Sequence, residues 1–137
     1  MLGVYSESGL SGTQADGILG MSPSAGSGSE ELFVQKLYEA GRIANNQFGV
    51  SYRSTSGTSK IIFGGYDTSV VVDPSLFAYI KLSDTNYWSL NINAHSYGTD
   101  ALDISVERGI LDTGTSLTYW PSSDFNIIWA KISEGKT

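Results

Sequence analysis

The sequence predicts a mainly β fold with two short helices. Two apolar-rich runs, residues 47–52 and 60–63, flank a segment of Ser, Thr and Gly, as the two arms of a β-hairpin flank its turn. Apolar and polar residues then alternate from Trp88 to Ala94, and a period of two is typical of a strand. Glycine is frequent and charged residues make up only 16% of the chain, which suits short strands joined by turns.

The first predicted helix runs from Glu30 to Ala40. Acidic residues at its start suit the positive end of a helix dipole, and Gly41 supplies a residue that commonly ends a helix. Phe33 and Leu37 are four residues apart and would share one face. The hairpin follows this helix, with its turn predicted at residues 54–59.

Two more strands are predicted in the second half. The Asp73-Pro74 step breaks the chain before the first of them, Phe77 to Leu82. In the second, the period of two places four residues on one face: Trp88, Leu90, Ile92 and Ala94.

The second predicted helix begins after Pro121-Ser122-Ser123. Its apolar residues follow helical spacing and form one stripe, which consists of Phe125, Ile128, Trp129 and Ile132. We expect this stripe to be core that packs beneath the turn at Asp112.

An Asp-Thr-Gly turn lies in the run Ile110 to Ser116, and the pattern predicts a strand before it, at Ile110-Leu111, and another after it, at residues 115–119. A carboxylate that activates water must be held in one orientation, and glycine beside it admits neighbouring groups where a Cβ would collide. Asp112 is therefore a candidate catalytic carboxylate. The alternative is a turn aspartate that only binds nearby backbone amides.

Four motifs occur in an order that resembles the pepsin-like aspartic proteases, peptidase family A1. They are residues 15–20 (ADGILG) with 33–37 (FVQKL) after them, residues 61–67 (IIFGGYD), Tyr87-Trp88, and the Asp112 turn. The resemblance implies a bilobal acid protease fold with lobes of the double-ψ β-barrel type. Residues 1–73 would be the later part of the first lobe, and residues 74–137 the earlier part of the second. The remaining lobe segments are expected in a full-length parent.

The resemblance also implies roles for single residues. Asp112 would be one of two aspartates that activate a water molecule, whereas Asp16 would be structural. Thr113, Gly114 and Thr115 would support the catalytic turn. Ile18, Gly114 and Ser116 would contact bound peptide, with Ile18 in an apolar pocket. The implied activity is hydrolysis of peptide bonds in a secreted protein or one from an acidic vacuole or lysosome.

The sequence holds one Asp-Thr-Gly, whereas the implied chemistry needs two carboxylates that share a proton. We therefore expect the isolated chain to be inactive. One alternative is a catalytically silent binding module with the same fold. Another is a homodimeric single-lobe protease, but that class needs an apolar-apolar-Gly strand after its catalytic turn, and here Ile18-Leu19-Gly20 precedes Asp112.

Other functions are disfavoured by composition. The net charge of −6 opposes binding to nucleic acids and anionic membranes, and no run is long and apolar enough to cross a membrane. His95 is the single histidine and cysteine is absent, so we expect no metal site and no Ser-His-Asp arrangement. We also expect no cofactor. Residues 103–109 also lack the disulfide that this family commonly has before its second Asp-Thr-Gly.

Overall fold

The computed structural model describes residues 17–25, 31–52 and 58–135. The chain divides into two compact units, Met1–Ala78 and Tyr79–Thr137, here called the first and the second unit. Within the described residues the strands form three two-stranded antiparallel sheets, accompanied by two α-helices and two short 3₁₀ turns. The predicted mainly β fold with two short helices is confirmed.

Helix α1 spans Phe33–Glu39, three residues shorter at its start than predicted. Leu32 has an extended backbone (φ −72°, ψ 124°) and supplies no capping side chain, so the helix begins only after it. Glu30 lies outside the described residues. The predicted stop is confirmed, because Gly41 takes the left-handed φ of +63° and its N–H bonds to the Tyr38 carbonyl at 2.9 Å.

The predicted hairpin is confirmed as strands β1 (Phe48–Ser51) and β2 (Lys60–Phe63). They pair antiparallel, with Phe48 opposite Phe63 and Ser51 opposite Lys60. Most of the predicted turn, residues 54–57, lies outside the described residues. The ring of Phe33 meets Phe63 edge-on with ring centres 5.3 Å apart, so the first helix packs against the end of the hairpin.

The predicted strand from Phe77 to Leu82 is wrong. Pro74–Leu76 forms a 3₁₀ turn whose cap is Asp73, and no strand of the described chain pairs with residues 77–82. Tyr79 is 83% exposed and Ile80 66%, so neither side of this segment faces a core. An apolar-rich run forms a strand only where a partner strand and a covering layer are present.

The second unit contains strands β3 (Ser89–Asn91), β4 (Ser96–Tyr97), β5 (Asp100–Ala101) and β6 (Arg108–Ile110). Strands β4 and β5 form a small hairpin, and β3 pairs antiparallel with β6. The strand predicted around Trp88 to Ala94 is therefore present but short. One further bond, from the Ile92 N–H to the Glu107 carbonyl at 2.8 Å, extends the β3–β6 contact beyond the paired residues.

Helix α2 spans Ser122–Ser133 and confirms the second predicted helix. The expectation that its apolar stripe is core is wrong for Phe125 and Trp129, which are 47% and 57% exposed and stack on each other with ring centres 6.0 Å apart. The buried residue of this helix is Asp124. Hydrogen bonds from Ser105 and Val106 to its carboxylate turn the helix so that this polar residue faces inward.

Candidate active site

Strand β6 delivers the chain to the Asp-Thr-Gly turn. Its last residue, Ile110, lies opposite Ser89 of β3, and Ser89 is only 4% exposed. The Leu111 N–H then bonds to the Trp88 carbonyl at 2.9 Å. The backbone is thus held by strand β3 and Trp88 up to the residue before Asp112. The strand predicted after the turn, at residues 115–119, is wrong, because the structure has no strand there.

The turn binds both carboxylate oxygens of Asp112. Oδ1 accepts a hydrogen bond from the Gly114 N–H at 2.9 Å, and Oδ2 accepts one from the Thr115 hydroxyl. A longer bond joins the Thr115 N–H to the Asp112 carbonyl at 3.3 Å. A Cβ on Gly114 would lie 3.2 Å from Asp112 Oδ1, so glycine leaves the carboxylate the space it occupies.

These bonds change the acidity of the site. The Thr115 hydroxyl, and then the Gly114 N–H, lower the pKa of Asp112 below its ordinary value and outweigh the opposite effect of partial desolvation. The ionised form is therefore favoured at any pH above the ordinary carboxyl range. An ionised carboxylate has no proton of its own, and this is the form that a general base must have before it can take one.

The structure places the predicted site residues in two groups. Gly114 and Thr115 contact Asp112 directly, while Thr113 and Ser116 are exposed members of the same turn. Ile18 lies in the first unit and is 79% exposed. Asp16 lies outside the described residues. The substrate contacts of Ile18, Gly114 and Ser116, and the bracing role of Thr113, stay predictions.

The sequence reasoning missed a second carboxylate in the same unit, Asp124. Only 1% of this residue is exposed, and its oxygens accept bonds from Ser105 and Val106. Burial raises the pKa of Asp124, but the N–H and hydroxyl of Ser105 and the N–H of Val106 outweigh it, so the pKa lies below its ordinary value. An acidic residue in the first turn after Pro121 was the available signal.

His95 lies in this neighbourhood without forming a catalytic triad. Its Nε2 and the Val106 carbonyl oxygen are 2.7 Å apart, and its ring meets Trp120 edge-on with centres 5.6 Å apart. The Ser105 hydroxyl donates to Asp124, whereas a triad serine would donate to the histidine. His95 therefore holds the backbone at Val106 and takes no part in a catalytic triad with Ser105 and Asp124.

In the described part of the chain, no three His, Cys, Asp or Glu side chains come together in a way that could hold a metal ion. Neither described helix has the length and hydropathy needed to span a membrane.

Comparison with known proteins decides the family. The family model described as eukaryotic aspartyl protease matches residues 4–137, which include both the hairpin and the Asp112 turn. The chain belongs to this family. The predicted pepsin-like A1 protease assignment is thereby confirmed.

Several curated aspartyl proteases are similar to the chain. Gastricsin of Mus musculus is 31% identical over 119 residues, which cover 82% of this chain and 30% of gastricsin. An aspartic protease of Phaffia rhodozyma is 27% identical, covering 91% of this chain and 30% of that protein. Vacuolar protease A of Neurospora crassa is 30% identical, covering 89% and 31%.

The chain thus spans about 30% of the length of the curated aspartyl proteases it matches. No solved structure gives a significant match. Membership of the aspartyl protease family supports a bilobal fold. The sheets and helices described in the two units are consistent with part of that fold.

Proposed function

We propose that this chain supplies one catalytic carboxylate, Asp112, to an aspartic endopeptidase. The observation that carries the proposal is the double anchoring of that carboxylate, by the Gly114 N–H at 2.9 Å and by the Thr115 hydroxyl. The anchoring orients the carboxylate and favours its ionised form. Family membership supplies the reaction class.

In the proposed reaction, an ionised aspartate takes a proton from a water molecule as the oxygen of that water attacks the peptide carbonyl carbon. A second, protonated aspartate donates a hydrogen bond to the carbonyl oxygen and stabilises the charge that develops there. The proton is then delivered to the departing amine, and no bond forms between enzyme and substrate. The lowered pKa of Asp112 favours its ionised form, so Asp112 suits the ionised member of this pair.

The second aspartate has to come from another segment, because the sequence holds a single Asp-Thr-Gly. The 137-residue chain alone would therefore have little or no proteolytic activity. Within the complete site, Thr113 would brace the two catalytic turns, and Gly114, Ser116 and Ile18 would contact the peptide. Similarity to vacuolar protease A supports a vacuolar compartment, with secretion as the alternative.

The proposal is tested with the longest protein that the gene encodes and, separately, with the 137-residue chain. Both are incubated at acid pH with an unfolded protein substrate. We expect cleavage by the longer protein, a loss on the order of 10²-fold or more in Asp112→Asn because a general base is removed, and no cleavage by the short chain. Asp103→Asn, which changes an exposed carboxylate of the same unit, is the matched control and should retain activity.

Two results would contradict the proposal in different ways. A folded longer protein that cleaves nothing would indicate a catalytically silent binding module. Cleavage by the short chain that disappears in Asp112→Asn would indicate a homodimeric protease, in which two copies of this turn supply the pair.

A further inference from the structure

Asp124 has the most enclosed side chain in the described part of the molecule, with 1% of the residue exposed. Its Oδ1 accepts bonds from the Ser105 N–H at 3.2 Å and the Ser105 hydroxyl at 3.0 Å. Its Oδ2 lies 2.9 Å from the same hydroxyl and accepts the Val106 N–H at 3.1 Å. Both carboxylate oxygens are therefore occupied by another segment of the chain.

These bonds differ from ordinary helix capping. An acidic residue in the first turn of a helix commonly binds N–H groups of its own helix. Asp124 instead reaches residues that lie 18 and 19 positions earlier. It thus connects the beginning of α2 to the stretch that leads into β6.

The connection joins the two ends of the segment that carries the candidate active site. Ser105 and Val106 precede β6, which leads to Asp112, and α2 begins after the segment that follows the turn. Asp124 therefore ties together the two ends of a 105–124 segment that carries Asp112 in its middle. Joining the ends of a loop removes many of its conformations. The contact between His95 Nε2 and the Val106 carbonyl oxygen, at 2.7 Å, holds the same end from another side.

We propose that Asp124 is a positioning residue for Asp112: by closing the base of the 105–124 segment, it holds the Asp-Thr-Gly turn in the geometry in which Gly114 and Thr115 bind the carboxylate. The importance of this geometry for proteolysis rests on the proposed function. The tie itself can be tested without any activity.

A carboxylate is required at this place because it offers acceptors only. In Asp124→Asn, an NH₂ group replaces one oxygen and faces a donor of Ser105 or Val106, so that side of the contact is lost. Asp124→Glu keeps both acceptor oxygens on a side chain one methylene longer and should restore part of the contact.

The test measures the pKa of Asp112 in the isotopically labelled chain by following its carboxyl carbon in NMR spectra as pH changes. We expect Asp124→Asn to raise the pKa of Asp112 toward its ordinary value of 3.8, because the bonds from Thr115 and Gly114 loosen. Asp124→Glu should give an intermediate value. Removing a negative charge from the neighbourhood would by itself lower the pKa of Asp112, so a rise separates loss of positioning from loss of charge.

Asp100→Asn is the matched control. It makes the same chemical change in the same unit, at a carboxylate that binds Lys131 of α2 at 2.7 Å, and it should not raise the pKa of Asp112. An unchanged or lowered pKa of Asp112 in folded Asp124→Asn would overturn the proposal. If Asp124→Asn does not fold, the pKa of Asp112 is measured in Ser105→Ala, which keeps both backbone N–H donors to Asp124. We expect a smaller rise in that variant, and an unchanged or lowered pKa of Asp112 would again overturn the proposal.

The two proposals can fail separately. If the pKa of Asp112 rises in Asp124→Asn but the longer protein is inactive, the positioning role of Asp124 is supported and the proposed protease function is contradicted. If the longer protein cleaves its substrate but the pKa of Asp112 is unchanged in Asp124→Asn, the protease function is supported and the positioning role is contradicted.

Discussion

The Thr115 hydroxyl donates a hydrogen bond to Oδ2 of Asp112, three residues before it in the chain. The other carboxylate oxygen accepts the Gly114 N–H at 2.9 Å. Two donors from the next three residues thus fix both the orientation and the charge of one aspartate. Each of these two hydrogen bonds can be weakened or removed separately, and the pKa of Asp112 reports the result.

Replacing Thr115 by Val should raise the pKa of Asp112. Valine has nearly the shape of threonine but lacks the hydroxyl, which is the largest cause of the lowered pKa. NMR titration of the Asp112 carboxyl carbon measures the change. Thr115→Ser retains a hydroxyl and should keep the pKa low, and Thr118→Val, at an exposed position, is the control. An Asp112 pKa in Thr115→Val equal to that of the unmodified chain would mean that this bond does not set the acidity.

Replacing Gly114 by Ala should also raise the pKa of Asp112. The new Cβ would lie 3.2 Å from Oδ1, so the carboxylate must move and its bond to the Gly114 N–H weakens. The same titration measures the effect, with Ser116→Ala as a control in the same turn. In the longer protein, Gly114→Ala should reduce proteolysis more than Ser116→Ala does. If the pKa of Asp112 stays low in Gly114→Ala, the turn accommodates the added methyl group without weakening the bond between the residue 114 N–H and the carboxylate.

Replacing Gly49 by Ala should destabilise the first unit, whereas Gly65→Ala should not. A Cβ on Gly49 would lie 2.7 Å from the Tyr66 Cβ and 2.8 Å from its Cα, while Gly65 has nothing within 4 Å of the same position. Overpacking against backbone costs about 1 to 3 kcal/mol of unfolding free energy, and an unobstructed change stays within about 0.5 kcal/mol.

Amide hydrogen exchange in the β1–β2 hairpin measures this difference. Tryptophan fluorescence does not, because the three tryptophans all lie in the second unit. Equal exchange rates in the two variants would show that Tyr66 moves away at little cost.

The first unit should lose stability as the pH falls from about 4 to about 2. Lys60 Nζ lies 2.7 Å from Asp67 Oδ2, and this bond, followed by those from the Ser69 hydroxyl and N–H, lowers the pKa of Asp67 from 3.8 to about 2. Because the folded pKa is the lower one, the stabilisation is complete above the unfolded value and disappears as the pH falls through the folded value.

Hydrogen exchange in the hairpin as a function of pH, together with NMR titration of Asp67, measures this loss. Lys60→Gln should raise the pKa of Asp67, and Lys81→Gln, at an exposed lysine of the second unit, should leave it unchanged. Titration of Asp67 near 3.8 in the unmodified chain would contradict the prediction.

Features that depend on neighbouring residues were predictable from the sequence. The Asp112 turn is held by residues two and three positions away, and the stop of α1 requires only a glycine that can take a positive φ. The hairpin was visible in two apolar arms and a polar turn. The sequence could not show that Phe77 to Leu82 lacks a pairing strand among the described residues, because strand pairing depends on another part of the chain.

The local pattern of residues was thus sufficient for the family, the Asp-Thr-Gly turn, the two helices and the β1–β2 hairpin, since each has its signal in residues that lie close together in the sequence. Folding in three dimensions settled which face of α2 is buried and which carboxylate closes the 105–124 segment. Asp124 is buried because donors 18 and 19 residues earlier meet its oxygens. A helical pattern of apolar residues specifies no such partner, because it records the spacing along one helix and not the groups that approach it.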